Sequence, residues 1–183
     1  MSVPRTKPQR LQMSRPRRSD WAAGDGAKYL SYAEAWARIR LATKQGFFLE
    51  AVTVEESIIS DRLCSYLVKN CGFDPGDRSL RTLQNLVGLW AKTVRAQAKT
   101  SAHLLEQLDR LQQGIEDWRI ARNDVVHGLV KSRAGRGDDH IQGFLERAHQ
   151  AAKDGQVLAR AVSNWVDAAR REITEASKAK GGS

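Results

Sequence analysis

The chain reads as an all-α domain of about five helices. Three observations predict it. From Tyr29 onward apolar residues recur at spacings of three and four. No stretch alternates with a period of two for long enough to make a strand. The punctuation that does occur, at Gly46, "NCGFDPGD" and Gly128, is of the kind that ends helices. A chain of 183 residues with 41% hydrophobic residues suffices for one buried core and is short for two.

The first helix is predicted from about Lys28 to Gln45, with Tyr29, Tyr32, Ala33, Trp36 and Ile39 on one side and Gly46 interrupting it. A second runs from about Phe47 to Asn70, carries Phe48, Val52, Ile59, Leu63 and Leu67, and meets Gly72 as its cap and Pro75 as a stop. A third follows Ser79, read as its N-cap, with Leu80, Leu83, Val87, Trp90 and Val94. The fourth, from about Ser101 to His127, has the cleanest period: Leu104, Leu108, Leu111, Ile115 and Trp118 step by 4, 3, 4 and 3. Gly128 is read as its cap. The last segment includes "IQGFLERAHQAAK", a break at Asp154 and Gly155, and a final helix with Val157, Leu158, Ala161, Val162, Trp165 and Ile173. Residues 1–20 read as a disordered basic arm, 21–177 as the helical domain and 178–183 as a frayed tail.

Thirty Lys and Arg against 21 Asp and Glu give a formal charge of +9, which points to a polyanionic partner such as nucleic acid. The excess is uneven. Residues 1–19 hold Arg5, Lys7, Arg10, Arg15, Arg17 and Arg18 with no acid, and "KSRAGRG" adds Lys131, Arg133 and Arg136. Of these, Arg15, Arg17, Arg18, Lys131, Arg133 and Arg136 are the candidate RNA-contacting residues. Three of the four prolines lie in the arm and argue against the amphipathic helix of a transit peptide. No apolar run approaches the roughly 20 residues of a membrane span, so a soluble, cytoplasmic protein is expected. Cys64 and Cys71, seven residues apart on one helix, stand about 10 Å apart, beyond disulfide reach. The four histidines show no metal-ligand spacing, and no phosphate-cradling glycine loop, dinucleotide fingerprint or nucleophile elbow is present. No cofactor or metal is expected.

One position breaks the pattern. Continuing the fourth helix's stripe past Trp118 brings 122 inward, and 122 is Arg. A charge there costs several kcal/mol unless it is paired or faces an arriving surface. Glu55, Glu56 and Asp61 on the second helix could orient it, although carboxylates on a long helix are more often solvated or paired with Lys and Arg. Asn123 and His127 are i and i+4 and share a face. Chance alone supplies about one Arg–His pair at such spacing in a chain of this composition. Two are present, Arg122 with His127 and Arg133 with His140. The second lies in a glycine-rich loop that holds no geometry. On an ideal helix Arg122 and His127 point about 140° apart, so two copies related by a two-fold axis would close a site that one copy leaves open. Histidine can move a proton at a ribose hydroxyl, and the guanidinium fork suits a charged phosphorane.

The stretch "RNDVVHG", 122–128, resembles the R-x4-6-H motif of HEPN domains, whose arginine is commonly followed by a polar residue. "EAVTVEESIISDRLCSYL", 50–67, resembles that family's long second helix, and the resemblance covers residues 29–176. It implies an antiparallel helical bundle and a metal-independent endoribonuclease of toxin, antiviral or RNA-processing type. It also implies a homodimer with a composite site, Arg122 and His127 as the catalytic pair, Asn123 as a supporting residue, and an inhibitory antitoxin as a possible partner. Leu129 stands where the branch paired with a nucleotidyltransferase antitoxin has tyrosine, so that particular partner is implied less than the chemistry. The alternative is an inactive bundle of the same kind that binds RNA or protein. A basic helical DNA-binding or scaffold protein is the third class.

Overall fold

The computed structural model describes residues 25–97, 100–130 and 138–181. Among them there is no strand. The elements are α1 (Asp25–Gln45), α2 (Phe48–Cys71), a 3₁₀ turn (Arg78–Leu80), α3 (Leu83–Ala96), α4 (Ala102–Val130) and α5 (Asp138–Gly181). The all-α class and the five helices are as the periodicity predicts. The chain divides after Glu34 into two compact units. Of the first, residues 25–34 are described, all within α1, with the Lys28 ammonium 5.9 Å over the Tyr32 ring. The second unit, from Ala35 onward, holds the buried core.

The left-handed glycines among the described residues, Gly46 (φ 80°) and Gly72 (φ 74°), sit where helices stop. Gly72 caps α2 and donates its backbone N–H to the Leu67 carbonyl, because an L side chain at that φ would clash with its own backbone. The α3 start differs from the sequence expectation. Asp77 caps the 3₁₀ turn by accepting from the Ser79 N–H at 2.8 Å. Thr82, three residues after Ser79, then caps α3 by accepting from Asn85 N–H at 3.3 Å. "DRS" offers its own local turn, and that turn takes Ser79 out of the helix. Ser101 serves α4: its hydroxyl accepts from Leu104 N–H at 3.3 Å and donates to Glu172 at 2.7 Å.

α2 and α5 run side by side in the same direction, with Phe48 against His149 and Asn70 against Arg170. α4 runs against both: the Trp118 indole donates to the Ala151 carbonyl at 2.8 Å, and the Trp165 indole to the Leu104 carbonyl at 3.0 Å. α3 packs on α2 and α4. The core at that end is aromatic. Trp165 meets Trp90 edge to face at 4.8 Å and Tyr66 at 5.3 Å, and all three are buried. The tryptophans of the apolar stripes are thus packing residues here, while Trp36 is half-buried with the Arg160 guanidinium 5.3 Å over its ring. Trp21 lies outside the described residues. Cys64 and Cys71 are unbridged.

α5 corrects the sequence reading most. Asp154 and Gly155 do not break it; the helix is continuous for 44 residues. Its inner face is a seam of small residues, Ala148, Ala151, Ala152, Gly155 and Ala159, all buried, which lets α2 approach closely. Glycine at 155 is a packing requirement. A Cβ there would lie 2.1 Å from Glu55 Oε2 and 2.8 Å from the Trp118 ring. The seam also sets the helix phase, so Val157, expected on the apolar stripe, is 69% exposed.

Candidate functional site

α4 keeps its register through the motif. Leu104, Leu108, Ile115, Trp118 and Val125 are buried, which places Arg122 between the last two on the inward stripe, as the period requires. The helix does not end at His127. Gly128 lies inside it, without the left-handed φ of a cap. A Cβ on Gly128 would sit 3.7 Å from the Phe144 ring, so the early turns of α5 rest on the last turns of α4. Glycine does not terminate the helix at this position, and a Cβ there would make an ordinary contact with the Phe144 ring.

Arg122 reaches across to α2. One Nη donates to the Glu56 carboxylate, and the other donates to Asn123 Oδ1 at 2.7 Å. Both members of the pair are about three-quarters buried, with side chains 25% and 24% exposed. Two acceptors therefore fix the plane of the guanidinium. Its Nε–H is buried with no hydrogen-bond partner among the described residues. Of the three α2 carboxylates that could orient Arg122, Glu56 is the one that pairs with it, Asp61 is exposed, and Glu55 is fully buried. Glu56 thus orients Arg122 as the sequence allowed, and Glu55, buried and paired with no Lys or Arg among the described residues, overturns the expectation of a solvated or paired carboxylate. Residue pattern at i and i+1 could not say which of two adjacent acids faces α4 and which faces α5.

His127 is exposed on the other side of the same helix. Five residues of unbroken helix turn it about 140° from Arg122. The structure gathers Arg122, Asn123 and Glu56 into one cluster and leaves His127 outside it. What one chain offers is an oriented cation and, a turn and a half further on, an accessible imidazole. His140 belongs to the first turn of α5, and its proposed companion Arg133 lies outside the described residues, as do Arg15, Arg17, Arg18, Lys131 and Arg136.

The described residues contain as many acidic as basic side chains, so the whole +9 excess resides in residues 1–24, at Lys99 and in residues 131–137. The last of these joins the motif-bearing end of α4 to α5. Among the described residues no three His, Cys, Asp or Glu side chains gather closely enough to hold a metal ion. No described helix is long and apolar enough to cross a membrane. Set against family models, curated proteins and solved structures, the chain matches none of them.

Proposed function

We propose that the chain is a metal-independent endoribonuclease of HEPN type, a toxin or antiviral-defence effector of the cytoplasm. The observation that carries this reading is Arg122, held by Glu56 and Asn123 near the end of α4, with an exposed His127 five residues on. Arg122 binds the scissile phosphate and the charge that builds on it. His127 draws the proton from the ribose 2′-hydroxyl; that oxygen attacks phosphorus, the bond to the 5′-oxygen breaks, and the departing oxygen takes up a proton. The nucleophile belongs to the RNA. Two copies of the chain pair about a two-fold axis so that Arg122 of one and His127 of the other meet in one cleft. Asn123 supports the arginine. Arg15, Arg17, Arg18, Lys131, Arg133 and Arg136 supply phosphate contacts that the electroneutral bundle does not. An antitoxin or regulatory protein would restrain the activity in the cell.

A second reading has its own observation. The Arg122–Glu56 pair satisfies an inward arginine as a purely structural ion pair does, which favours an inactive bundle that binds RNA or protein. Incubation of the purified protein with total RNA, with and without chelator, separates the two. Cleavage that survives chelator and is lost in both Arg122→Ala and His127→Ala supports the nuclease. Binding without cleavage supports the module.

A further inference from the structure

Glu55 occupies the middle of the α2 face that packs on α5, and it is fully buried. Among the described residues neither of its carboxyl oxygens has a hydrogen-bond partner. Gly155 leaves the space it fills, since a Cβ there would stand 2.1 Å from Oε2. The indole of Trp118 borders the same space, but its N–H is already given to the Ala151 carbonyl. An ionised carboxylate without donors is strongly disfavoured in such surroundings, and burial pushes the Glu55 pKa up to about 8.

The charges around it are few. α5 presents none: Ala151, Ala152 and Ala159 are buried, and Lys153 and Asp154 are exposed. On α2 the adjacent charge is Glu56, itself committed to Arg122. α4 presents Arg119 and Arg122, each with a buried Nε–H that has no partner among the described residues. Arg119 pairs along its own helix with Glu116 at 3.4 Å. Arg122 follows Trp118 by four residues and so lies on the stripe that borders Glu55.

We propose that Glu55 is a proton-operated latch on the Arg122 site: protonated, it seats α2 against Gly155, and on losing its proton it leaves that seat and competes with Glu56 for the Arg122 guanidinium. The driving force is the cost of an uncompensated buried charge, which the unused Nε–H of Arg122 relieves. The orientation of Arg122 then depends on pH in the neutral to mildly alkaline range. Nothing in this depends on the site cutting RNA.

The sign of the stability effect follows. A carboxyl whose folded pKa is raised binds its proton more tightly in the native state, so its contribution is full below about 4.5 and is lost as pH rises to about 8. Carboxyl and guanidinium NMR on the full chain from pH 5 to 10, with thermal unfolding alongside, tests the latch. Expected are a Glu55 midpoint far above the ordinary carboxylate range and an Arg122 Nε–H signal that moves with the same midpoint. In Glu55→Gln that signal should stay still, and the decline of Tm between pH 5 and 8 should flatten. Arg122→Gln should raise the Glu55 midpoint further, a wild-type comparison that holds even if Glu55→Gln does not fold. A Glu55 that titrates near 4.5, an Arg122 signal that ignores it, or a midpoint unmoved by Arg122→Gln overturns the proposal.

Discussion

Glu56 on α2 holds Arg122 on α4, and the two elements they join are otherwise sealed by Trp118 and Val125 on one side and Val52 and Ile59 on the other. The cation is thereby oriented without being shut in, for a quarter of its side chain remains exposed. Among the described residues His127 has no such brace. That contrast separates what the two alanine variants should do to the fold.

Arg122→Ala should cost on the order of 1 kcal/mol of stability, because it strands a three-quarters-buried Glu56 that can still reach water. His127→Ala removes an exposed side chain and should leave Tm within error of wild type. Both should lose RNA cleavage. Denaturant melts beside single-turnover cleavage check the pair; an active His127→Ala refutes its role.

Glu56→Gln should retain a hydrogen bond to Arg122 while removing the charge. Cleavage should slow by roughly tenfold or more if guanidinium orientation limits the phosphate contact, and RNA affinity should change far less. A KM effect with kcat intact would assign Glu56 to binding instead.

Mixing Arg122→Ala with His127→Ala, each inactive alone, should restore cleavage, since a two-fold heterodimer contains one site with both groups intact. The mass in solution should be that of two chains. A monomer at micromolar concentration, or no rescue after co-refolding, contradicts the composite cleft.

Replacing one ribose at a mapped cleavage site by 2′-deoxyribose should abolish cutting there, because the attacking hydroxyl is gone. Products should carry a 2′,3′-cyclic phosphate or its opened form and a 5′-hydroxyl, with the rate unchanged in EDTA. Deleting residues 1–19 should flatten the salt dependence of RNA binding, by about 0.7 for each phosphate that is no longer neutralised. Neutralising Lys131, Arg133 and Arg136 as well should nearly abolish it, given a bundle with no net charge of its own.

Gly155→Ala and Gly88→Ala should move stability in opposite directions. At Gly88, exposed in α3 with nothing within 4 Å of a Cβ, alanine should stabilise by up to about 1 kcal/mol through helix propensity. At Gly155 the same gain is outweighed by overpacking that costs roughly 1–3 kcal/mol, because the Trp118 ring, tied to the Ala151 carbonyl, cannot step aside. Paired denaturant melts decide it.

The sequence by itself determined the helical class, the five elements, the stop at Gly72 and the inward place of Arg122. Each of these rests on period or on a local backbone preference, and both are properties of a few consecutive residues. Only the tertiary structure decided which residue answers Arg122. Glu55 and Glu56 are identical in type and adjacent in sequence, and the 100° between them on α2 sends one against Gly155 and the other toward α4. The same holds for the glycines. Gly128 and Gly155 resemble helix punctuation in the sequence and lie within helices in the fold; at Gly155 the Glu55 carboxylate and the Trp118 ring take the volume of a missing Cβ, whereas at Gly128 a Cβ would only touch the Phe144 ring at 3.7 Å. Local rules register what a glycine permits its own backbone to do, and the space it yields to another helix exists only once the helices have met.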